Sequence, residues 1–320
     1  MRAVQIKTFG TPEQAQLVDT AKPIPKPGQL LIKLKASSVN PVDVQIRQGH
    51  YKEITPLPFK LGFDGAGTIE QIGEQVGDDV SDFSVGQRVY FVPAIFNGEG
   101  TYAEYCVVDA HLVAAIPESL SFTQAAALSL AGSAAWECLI DRGRLQAQET
   151  VFIHAGAGGV GHIAIQIAKA VGAKVITSAR KTHHKELKSL GADIVLDHHD
   201  NDFSEQLQQA TGDGVHLVLD TVGGNAISTA GQILVPYGRI ISLADYCPPQ
   251  DLLALWPKNV ELHLVYMAPS AERLQQLNKL VDQGTLKVNI DKTFPMAEAD
   301  QAHAYMDQRG RAGKVVLEIS

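Results

Sequence analysis

One stretch of the chain, residues 151–169, constrains its fold more than any other. It opens with the apolar, β-branched run of residues 151–153, which is typical of a buried strand. Apolar residues then resume at helical spacing from Val160, which indicates a helix. Three glycines in this stretch form the pattern G-x-G-x-x-G: Gly156, Gly158 and Gly161. Since a further apolar run starts at Lys174, the pattern predicts strand, tight turn, helix and second strand.

This glycine turn predicts a binding site for a dinucleotide. The first glycine of such a pattern permits the turn, the second lets the backbone approach a pyrophosphate, and the third lets helix and strand pack closely. The start of the helix presents unpaired N–H groups and the positive end of its dipole to phosphates. We therefore predict cofactor contacts from five residues of the turn: Gly156, Gly158, Gly159, Val160 and Gly161. The alternative is a turn that binds nothing, since glycine clusters usually mark loops.

The composition argues against several classes of protein. A chain of 320 residues is long enough for about two domains. Its net charge is −8 and residues of both signs are interspersed along the chain, so no basic surface for nucleic acid is expected. Neither a signal peptide nor an apolar run that could span a bilayer is evident. Three cysteines at unrelated positions, Cys106, Cys138 and Cys247, favour neither a disulfide framework nor a zinc site. We therefore expect a protein of the reducing cytoplasm.

The pattern of the chain predicts two domains. Short strands separated by glycine and proline run to about residue 120 and indicate a compact, barrel-like β domain. Strands and helices then alternate over residues 151–242, which implies a doubly wound parallel sheet whose ligand lies at the carboxyl ends of the strands.

The last part of the chain predicts a return to the β domain. After a strand at 261–266 come two helices and a final strand at 311–319, which fits poorly in the parallel sheet. The catalytic domain would then be discontinuous, and a cleft between the two domains is the expected place for a small molecule. The predicted bounds are 1–122 and 268–320 for the catalytic domain and 123–267 for the dinucleotide domain.

The end of the second strand predicts which dinucleotide is bound. NAD-binding proteins usually place an acid about 20 residues past the glycines, to hold the ribose hydroxyls. This chain has no acid there before Glu186, and Ser178, Arg180 and Lys185 can instead bind a 2′-phosphate. Cations at the start of a helix oppose its dipole, so they favour a bound anion over a merely solvated surface. The sequence therefore predicts NADPH (NADP) rather than NAD.

Two pairs of adjacent histidines invite comparison with a metal site. Neighbouring side chains in the pairs 183–184 and 198–199 point in different directions, and no cysteine or carboxylate joins them at ligand spacing. We predict no metal site and place His198 near the adenosine, with an exposed imidazole as the alternative.

One polar loop of the β domain holds Asn40, which precedes Pro41 and is pushed out of the helical region. Its amide is suited to orient a carbonyl or a ribose hydroxyl. The alternative, which the local pattern favours, is that Asn40 and Asp43 cap a short helix at 42–48.

Several segments, in order along nearly the whole chain, are similar to those of one family. They include Val39-Asn-Pro-Val-Asp, Gly62-Phe-Asp-Gly-Ala-Gly, Gly100-Thr-Tyr-Ala-Glu-Tyr, the glycine turn, Asp220-Thr-Val-Gly-Gly and Gly313-Lys-Val-Val-Leu. On these segments the chain resembles the zinc-free NADPH:quinone oxidoreductase, or zeta-crystallin-like, branch of the medium-chain dehydrogenase/reductase superfamily. The resemblance implies an α/β fold with a GroES-like β-rich catalytic domain and a Rossmann domain. It also implies a homodimer through the edge strand at 261–266.

The same resemblance bears on zinc. Zinc-dependent relatives carry a cysteine where this chain reads Val39-Asn40, and Gly-His-Glu where it reads Gly62-Phe63-Asp64. Without zinc no Lewis acid polarises an alcohol, so we expect a substrate that is already electrophilic.

Residue roles also follow from the resemblance. Asn40 is expected to line the active site, and Tyr51 to donate a hydrogen bond to a developing oxyanion. Gln45 stands where many relatives have an aromatic residue, which makes the pocket more polar. Four further residues are expected to contact the cofactor: Ser133, Val222, Leu243 and Arg311.

The function implied is NADPH-dependent hydride transfer to a quinone or similar conjugated carbonyl acceptor. Two alternatives stay open. One is an enone or enoyl-thioester (2-alkenal) reductase, and the other is a non-catalytic relative that binds NADPH or RNA.

Overall fold

The computed structural model describes residues 1–74, 82–94, 96, 98–244, 252–308 and 310–320. The described chain forms two compact units. Unit 1 comprises Met1–Ser133, Ala268–Asp282 and Val288–Ser320, and unit 2 comprises Ala134–Met267 and Gln283–Lys287. Cys247 lies outside the described residues.

The described residues include sixteen strands and eight α-helices. The strands are β1 Arg2–Ile6, β2 Gln16–Asp19, β3 Gln29–Val39, β4 Phe59–Lys60, β5 Gly65–Ile72, β6 Arg88–Phe91, β7 Tyr105–Asp109, β8 Val113–Ala115, β9 Thr150–Ile153, β10 Lys174–Ser178, β11 Ile194–Leu196, β12 Val215–Asp220, β13 Leu234–Ser242, β14 Glu261–Leu264, β15 Ile290–Pro295 and β16 Lys314–Glu318. The helices are α1 Pro41–Gln48, α2 Phe122–Trp136, α3 Gly161–Val171, α4 His184–Ser189, α5 Phe203–Thr211, α6 Ala226–Ile233, α7 Ala271–Asp282 and α8 Ala299–Met306. A π-helical turn, Glu137–Arg142, continues α2.

Unit 1 is built on a seven-stranded sheet around the long strand β3. The order is β15-β16-β3-β5-β6-β8, and β7 also pairs with β3. Eight of the eleven residues of β3 are buried, as expected for a strand in the interior of the sheet. The last strand, β16, runs antiparallel to β3 with Val315 opposite Val39. This pairing brings the end of the chain beside the start of α1, which follows β3 directly.

Unit 2 is built on a six-stranded sheet in the order β11-β10-β9-β12-β13-β14. All its pairings are parallel, and buried residues such as Phe152, Val218 and Ile240 lie in its core. Numbered from β9, this is the order 3-2-1-4-5-6 of a Rossmann sheet, which reverses between β9 and β12. The predicted fold class is confirmed. The sequence predicts it because apolar periodicity and the glycine turn mark the strands and helices from which the sheet is built.

The described part of the chain has no helix that combines the length and the apolar character needed to cross a membrane.

Candidate active site

The glycine turn lies at the carboxyl end of β9, where the order of the unit 2 sheet reverses. A Cβ atom added to Gly156 would lie 2.2 Å from Oγ1 of Thr177, and one on Gly161 would lie 2.3 Å from the oxygen of Ala155. Such distances exclude any side chain, so both glycines are needed for close packing. On Gly158 the nearest atom would be the Ala155 oxygen at 3.2 Å. Gly158 therefore presents the most open backbone of the three, which suits the approach of a pyrophosphate.

Helix α3 begins directly at Gly161, so its first N–H groups face the same edge of the sheet. The N–H of His162 bonds to the carbonyl of Gly158 at 3.1 Å, and the positive end of the helix dipole at this point favours a bound phosphate. The turn as a whole fits the dinucleotide that its sequence predicts. Contacts from Gly159 and Val160 remain predictions.

The end of β10 is tied to this turn by Ser178, which is buried. The Ser178 hydroxyl accepts a hydrogen bond from the N–H of Ala155 at 3.2 Å, and its carbonyl accepts one from Gly156 at 2.9 Å. Ser178 thus holds the glycine turn in place, and its predicted contact with a 2′-phosphate stays a prediction.

Cationic side chains follow β10 along the chain. Arg180 is half-buried and Lys185 is exposed on α4. The pKa of His198 lies below its usual range, because partial burial, the adjacent His199 and the nearby Arg180 all disfavour its cation. The neighbouring carboxylate of Asp197 is occupied, since it accepts the backbone N–H groups of Lys181 and His199, each at 3.0 Å. The electrostatic arrangement at this edge favours an anion.

Asn40 is a buried hub of unit 1. Its side-chain nitrogen donates a 2.6 Å hydrogen bond to Oδ2 of Asp64, and its side-chain oxygen accepts one from Nζ of Lys314. The Asn40 backbone N–H donates to Asp43 at 2.8 Å, so that Asp43 closes the first turn of α1 as the cap interpretation predicts. Both ends of the Asn40 amide therefore have protein partners, and its orientation of a substrate stays a prediction.

Asp64 joins three elements of unit 1 to this hub. Its Oδ1 accepts the backbone N–H of Leu130 in α2 at 2.6 Å, and its Oδ2 lies 3.3 Å from Nζ of Lys314 in β16. Ser38, near the end of β3, also donates to Oδ2. All four of the polar side chains involved are buried: Ser38, Asn40, Asp64 and Lys314. The Lys314 ammonium supplies the charge that compensates the buried Asp64 carboxylate.

Asp43 lies close to the same network and is fully buried. Burial raises the pKa of its carboxyl to about 7, and the charge of Asp64 adds to the rise, against the two backbone N–H groups that Asp43 accepts. Asp43 is therefore partly protonated near neutral pH.

Tyr51 belongs to an aromatic row that follows α1. Its ring centroid lies 5.4 Å from that of Phe96, and Phe96 lies 6.4 Å from Phe63. Tyr51 and Phe96 are half-buried, whereas Phe63 is buried at the position where zinc-dependent relatives have histidine. Gln45 is half-buried on α1, six residues before Tyr51. Aromatic side chains can stack on a flat acceptor, and Tyr51 and Phe96 are the half-buried members of this row.

Comparison with known proteins agrees with this geometry. Residues 26–118 match the family described as alcohol dehydrogenase GroES-like domain, and residues 190–317 match the family described as zinc-binding dehydrogenase. The quinone oxidoreductase of Mus musculus is 33% identical over 332 residues, which cover 99% of this chain and 97% of the mouse protein. The chain belongs to the quinone oxidoreductase branch of the medium-chain dehydrogenase/reductase superfamily.

Solved structures place this oxidoreductase in the same branch. The structure of the quinone oxidoreductase from Coxiella burnetii has a TM-score of 0.90 at 34% identity, and the match covers 100% of this chain and 99% of that chain. The structure of a mycobacterial protein complexed with NADPH has a TM-score of 0.88 at 32% identity, over 99% of this chain and 100% of that chain. Membership of the branch makes the protein a nicotinamide-dependent oxidoreductase.

Other predicted cofactor contacts of this oxidoreductase are distributed over both units. Val222 and Leu243 follow β12 and β13 at the carboxyl edge of the unit 2 sheet, where the glycine turn also lies. In unit 1, Ser133 is fully buried in α2, and its hydroxyl has no hydrogen-bond partner among the described residues. The Arg311 guanidinium donates to the Tyr305 carbonyl at 3.1 Å and to two further carbonyls at the end of α8. It therefore caps α8, and its reach toward cofactor phosphates stays a prediction.

Sequence reasoning missed three features of the oxidoreductase site. In the sequence Lys314 is only part of a motif, Phe96 belongs to no motif, and Asp64 is only a replacement in a zinc motif. The replacement in the Gly62-Phe63-Asp64 segment was the available signal, because a buried carboxylate requires a compensating cation.

Proposed function

We propose that this oxidoreductase uses NADPH to reduce a quinone or a similar conjugated carbonyl compound, and that it does so without zinc. The observation that carries the proposal is the cationic, acid-free carboxyl end of β10 beside the glycine turn. Arg180, Lys185 and His198 follow that end with positive or protonatable groups, and the carboxylate of Asp197, which follows β11, accepts two backbone N–H groups. The NADPH of the mycobacterial relative supports the same choice of cofactor.

The coenzyme would be held by the unit 2 residues already described. The glycine turn and the start of α3 would bind the pyrophosphate, and Arg180 would pair with the 2′-phosphate, which its planar guanidinium fits well. Reduced nicotinamide supplies a hydride to an electron-poor acceptor. The protein contributes position and electrostatics, and Tyr51 would donate a hydrogen bond to the acceptor oxygen as negative charge develops there.

The zinc-free part of the proposal rests on the residues of unit 1. Where zinc-dependent relatives place a cysteine, this chain has Val39-Asn40, and where they place histidine and glutamate it has Phe63 and Asp64. Phe63 packs in the aromatic row, while Asn40 and Asp64 bind the Lys314 ammonium. Among the described residues no group of three His, Cys, Asp or Glu side chains is arranged to hold a metal ion. A quinone needs no Lewis acid, because it is already an electrophile.

The test is NADPH oxidation by the purified protein with quinones, enones and enoyl thioesters side by side, before and after dialysis against a zinc chelator. We expect the highest kcat/KM with a quinone, a preference for NADPH over NADH, and no loss of activity on dialysis. A clear preference for enones or enoyl thioesters would make the protein a 2-alkenal-type reductase. Tight NADPH binding without turnover of any acceptor would favour the non-catalytic alternative, and stoichiometric zinc would overturn the zinc-free proposal.

A homodimer in the cytoplasm is part of the same proposal. Strand β14 ends the unit 2 sheet, and its Leu262 and Leu264, together with Tyr266, are 42%, 70% and 65% exposed. Such an apolar edge favours pairing with a second copy. In light scattering we expect the wild type to have about twice the chain mass of 34.4 kDa. The Leu264→Lys variant should be a monomer. The control, Ile24→Lys, alters an exposed residue of unit 1 and should remain a dimer. The cytoplasm is supported by the scattered cysteines of the sequence, which favour no disulfide framework.

A further inference from the structure

Three loops at the carboxyl edge of the unit 2 sheet are joined by the side chains of two consecutive residues, Asp220 and Thr221. One oxygen of Asp220 accepts the backbone N–H groups of Val222 and Gly223, each at 2.9 Å. The other oxygen accepts the hydroxyl of Ser242 at 2.7 Å, which links the end of β12 to the end of β13. These bonds form a single clamp between two neighbouring loops.

Thr221 extends the connection to the glycine turn. Its hydroxyl donates a 3.0 Å hydrogen bond to the carbonyl of His154, the residue that directly follows β9. The backbone of His154 donates in turn to Leu219 in β12 at 3.0 Å. The loop after β12 is thus held on one side to the loop after β9 and on the other to the loop after β13.

The clamp fixes two residues that the sequence predicts as cofactor contacts. Asp220 is 1% exposed, whereas Val222, two residues later, is 61% exposed, so the buried carboxylate turns Val222 outward. The carbonyl of Asp220 accepts the N–H of Leu243 at 2.9 Å. This bond fixes the position of Leu243, which is the first residue after β13. Val222 and Leu243 therefore depend on the same residue for their positions.

The strand order assigns the clamp to one half of the dinucleotide. The residues expected at the 2′-phosphate and adenosine, Arg180 and His198, follow β10 and β11 on one side of β9. Asp220 and Ser242 end β12 and β13 on the other side. Because a dinucleotide lies across the point where the strand order reverses, its second half lies over the clamp.

We propose that Asp220 and Thr221 are positioning residues for the nicotinamide half of NADPH, acting through the loops that carry Val222 and Leu243. This inference rests on the proposed binding of NADPH. It differs from a general role in folding, because the clamp should matter to the nicotinamide half and not to the adenosine half.

The test compares two ligands in four variants. Thr221→Val removes the hydroxyl that binds His154, and Ser242→Ala removes the hydroxyl that binds Asp220. Asp220→Ala removes the carboxylate, and Asp220→Asn keeps an oxygen for the two N–H groups. Dissociation constants are measured by titration calorimetry for NADPH and for adenosine 2′,5′-bisphosphate, which reports on the adenosine half alone. The matched control is Thr229→Val in α6, since the Thr229 hydroxyl also donates to a backbone carbonyl, that of Asn225 just before the helix, at 3.0 Å.

We expect Thr221→Val to raise the Kd for NADPH about 3- to 10-fold, as the loss of one neutral hydrogen bond implies. Asp220→Ala should raise it further, and Asp220→Asn should recover most of the loss. The Kd for adenosine 2′,5′-bisphosphate should stay within about twofold in every variant, and Thr229→Val should bind both ligands as the wild type does.

Two results would overturn the inference. One is an equal loss of affinity for both ligands, which would show a general effect on unit 2. The other is an unchanged Kd for NADPH in folded Thr221→Val and Ser242→Ala, which also decides the matter if Asp220→Ala fails to fold. A wild-type protein that does not bind NADPH would overturn the proposed function, and this inference with it. The two results above leave the proposed function intact, so the two kinds of failure can be distinguished.

Discussion

The side-chain nitrogen of Asn40 lies 2.6 Å from the carboxylate of Asp64, and both side chains bind the ammonium of Lys314. These residues come from the end of β3, the loop before β5 and the start of β16. Where zinc-dependent relatives carry metal ligands, this chain has a buried ion pair that holds the same segments together. The Lys314 side chain thus contributes to the structure of the site even where it touches no substrate.

We predict that Lys314→Met lowers the free energy of unfolding by about 3–5 kcal/mol, because it leaves the Asp64 carboxylate buried without its cation. Urea denaturation measures this change. Lys33→Met, which alters an exposed residue of β3 in the same sheet, should change the free energy by less than about 0.5 kcal/mol. Equal stabilities of the Lys314→Met variant and the wild type would show that the ion pair is dispensable.

Arg180→Ala should weaken the use of NADPH selectively. Loss of the charged hydrogen bonds to a 2′-phosphate is expected to raise the KM for NADPH about 10- to 100-fold, while the KM for NADH stays unchanged. Initial rates with both coenzymes at saturating quinone measure this. Lys188→Ala, which removes an exposed cation from the nearby helix α4, is the control and should affect neither KM. A parallel rise for NADPH and NADH would remove Arg180 from the 2′-phosphate site.

His198 offers a spectroscopic check on the same site. Burial, His199 and Arg180 hold its pKa below the usual range, and a bound phosphate dianion would favour the imidazolium. We therefore expect NADPH to raise the pKa of His198, and NADH to raise it less. Titration of the imidazole protons by NMR, with the resonance assigned through His198→Gln, measures both values. Exposed His111 of unit 1 serves as the internal reference. If neither coenzyme shifts His198, the imidazole lies away from the phosphate.

The sequence predicts best those features that depend on residues close together in the chain. The glycine turn, the parallel sheet and the acid-free end of β10 follow from local spacing and apolar periodicity. Asn40 and Lys314 are 274 positions apart, so their hydrogen bond depends on the antiparallel pairing of β16 with β3, which no local pattern reports. Phe96 reaches Tyr51 from a separate loop for the same reason. The clamp at Asp220 was visible as a motif, but its partner Ser242 lies on the next strand.

His303 should make the stability of the protein sensitive to acid. It lies buried in α8, where its Nδ1 accepts a 3.2 Å hydrogen bond from Arg47, and burial, with help from the Arg47 charge, lowers its pKa to about 3. The unfolded chain binds a proton near pH 6.5 and the folded protein does not, so the contribution of His303 is full above pH 6.5 and declines as the pH falls toward 3.

From pH 7.5 to pH 5.0 this linkage should cost about 2 kcal/mol of unfolding free energy. Asp43 acts in the opposite direction, because its pKa of about 7 makes the folded state bind a proton that the unfolded state releases above about pH 4.

The comparison that isolates His303 is therefore between the wild type and His303→Asn, whose side-chain oxygen can accept a hydrogen bond from Arg47. Urea denaturation at both pH values should find His303→Asn less stable at pH 7.5, through lost packing, with a gap that narrows by about 2 kcal/mol at pH 5.0. His111→Asn, an exposed histidine of the same unit, should show no such narrowing. A gap that stays constant between the two pH values would mean that His303 takes up a proton in the folded protein as readily as in the unfolded chain.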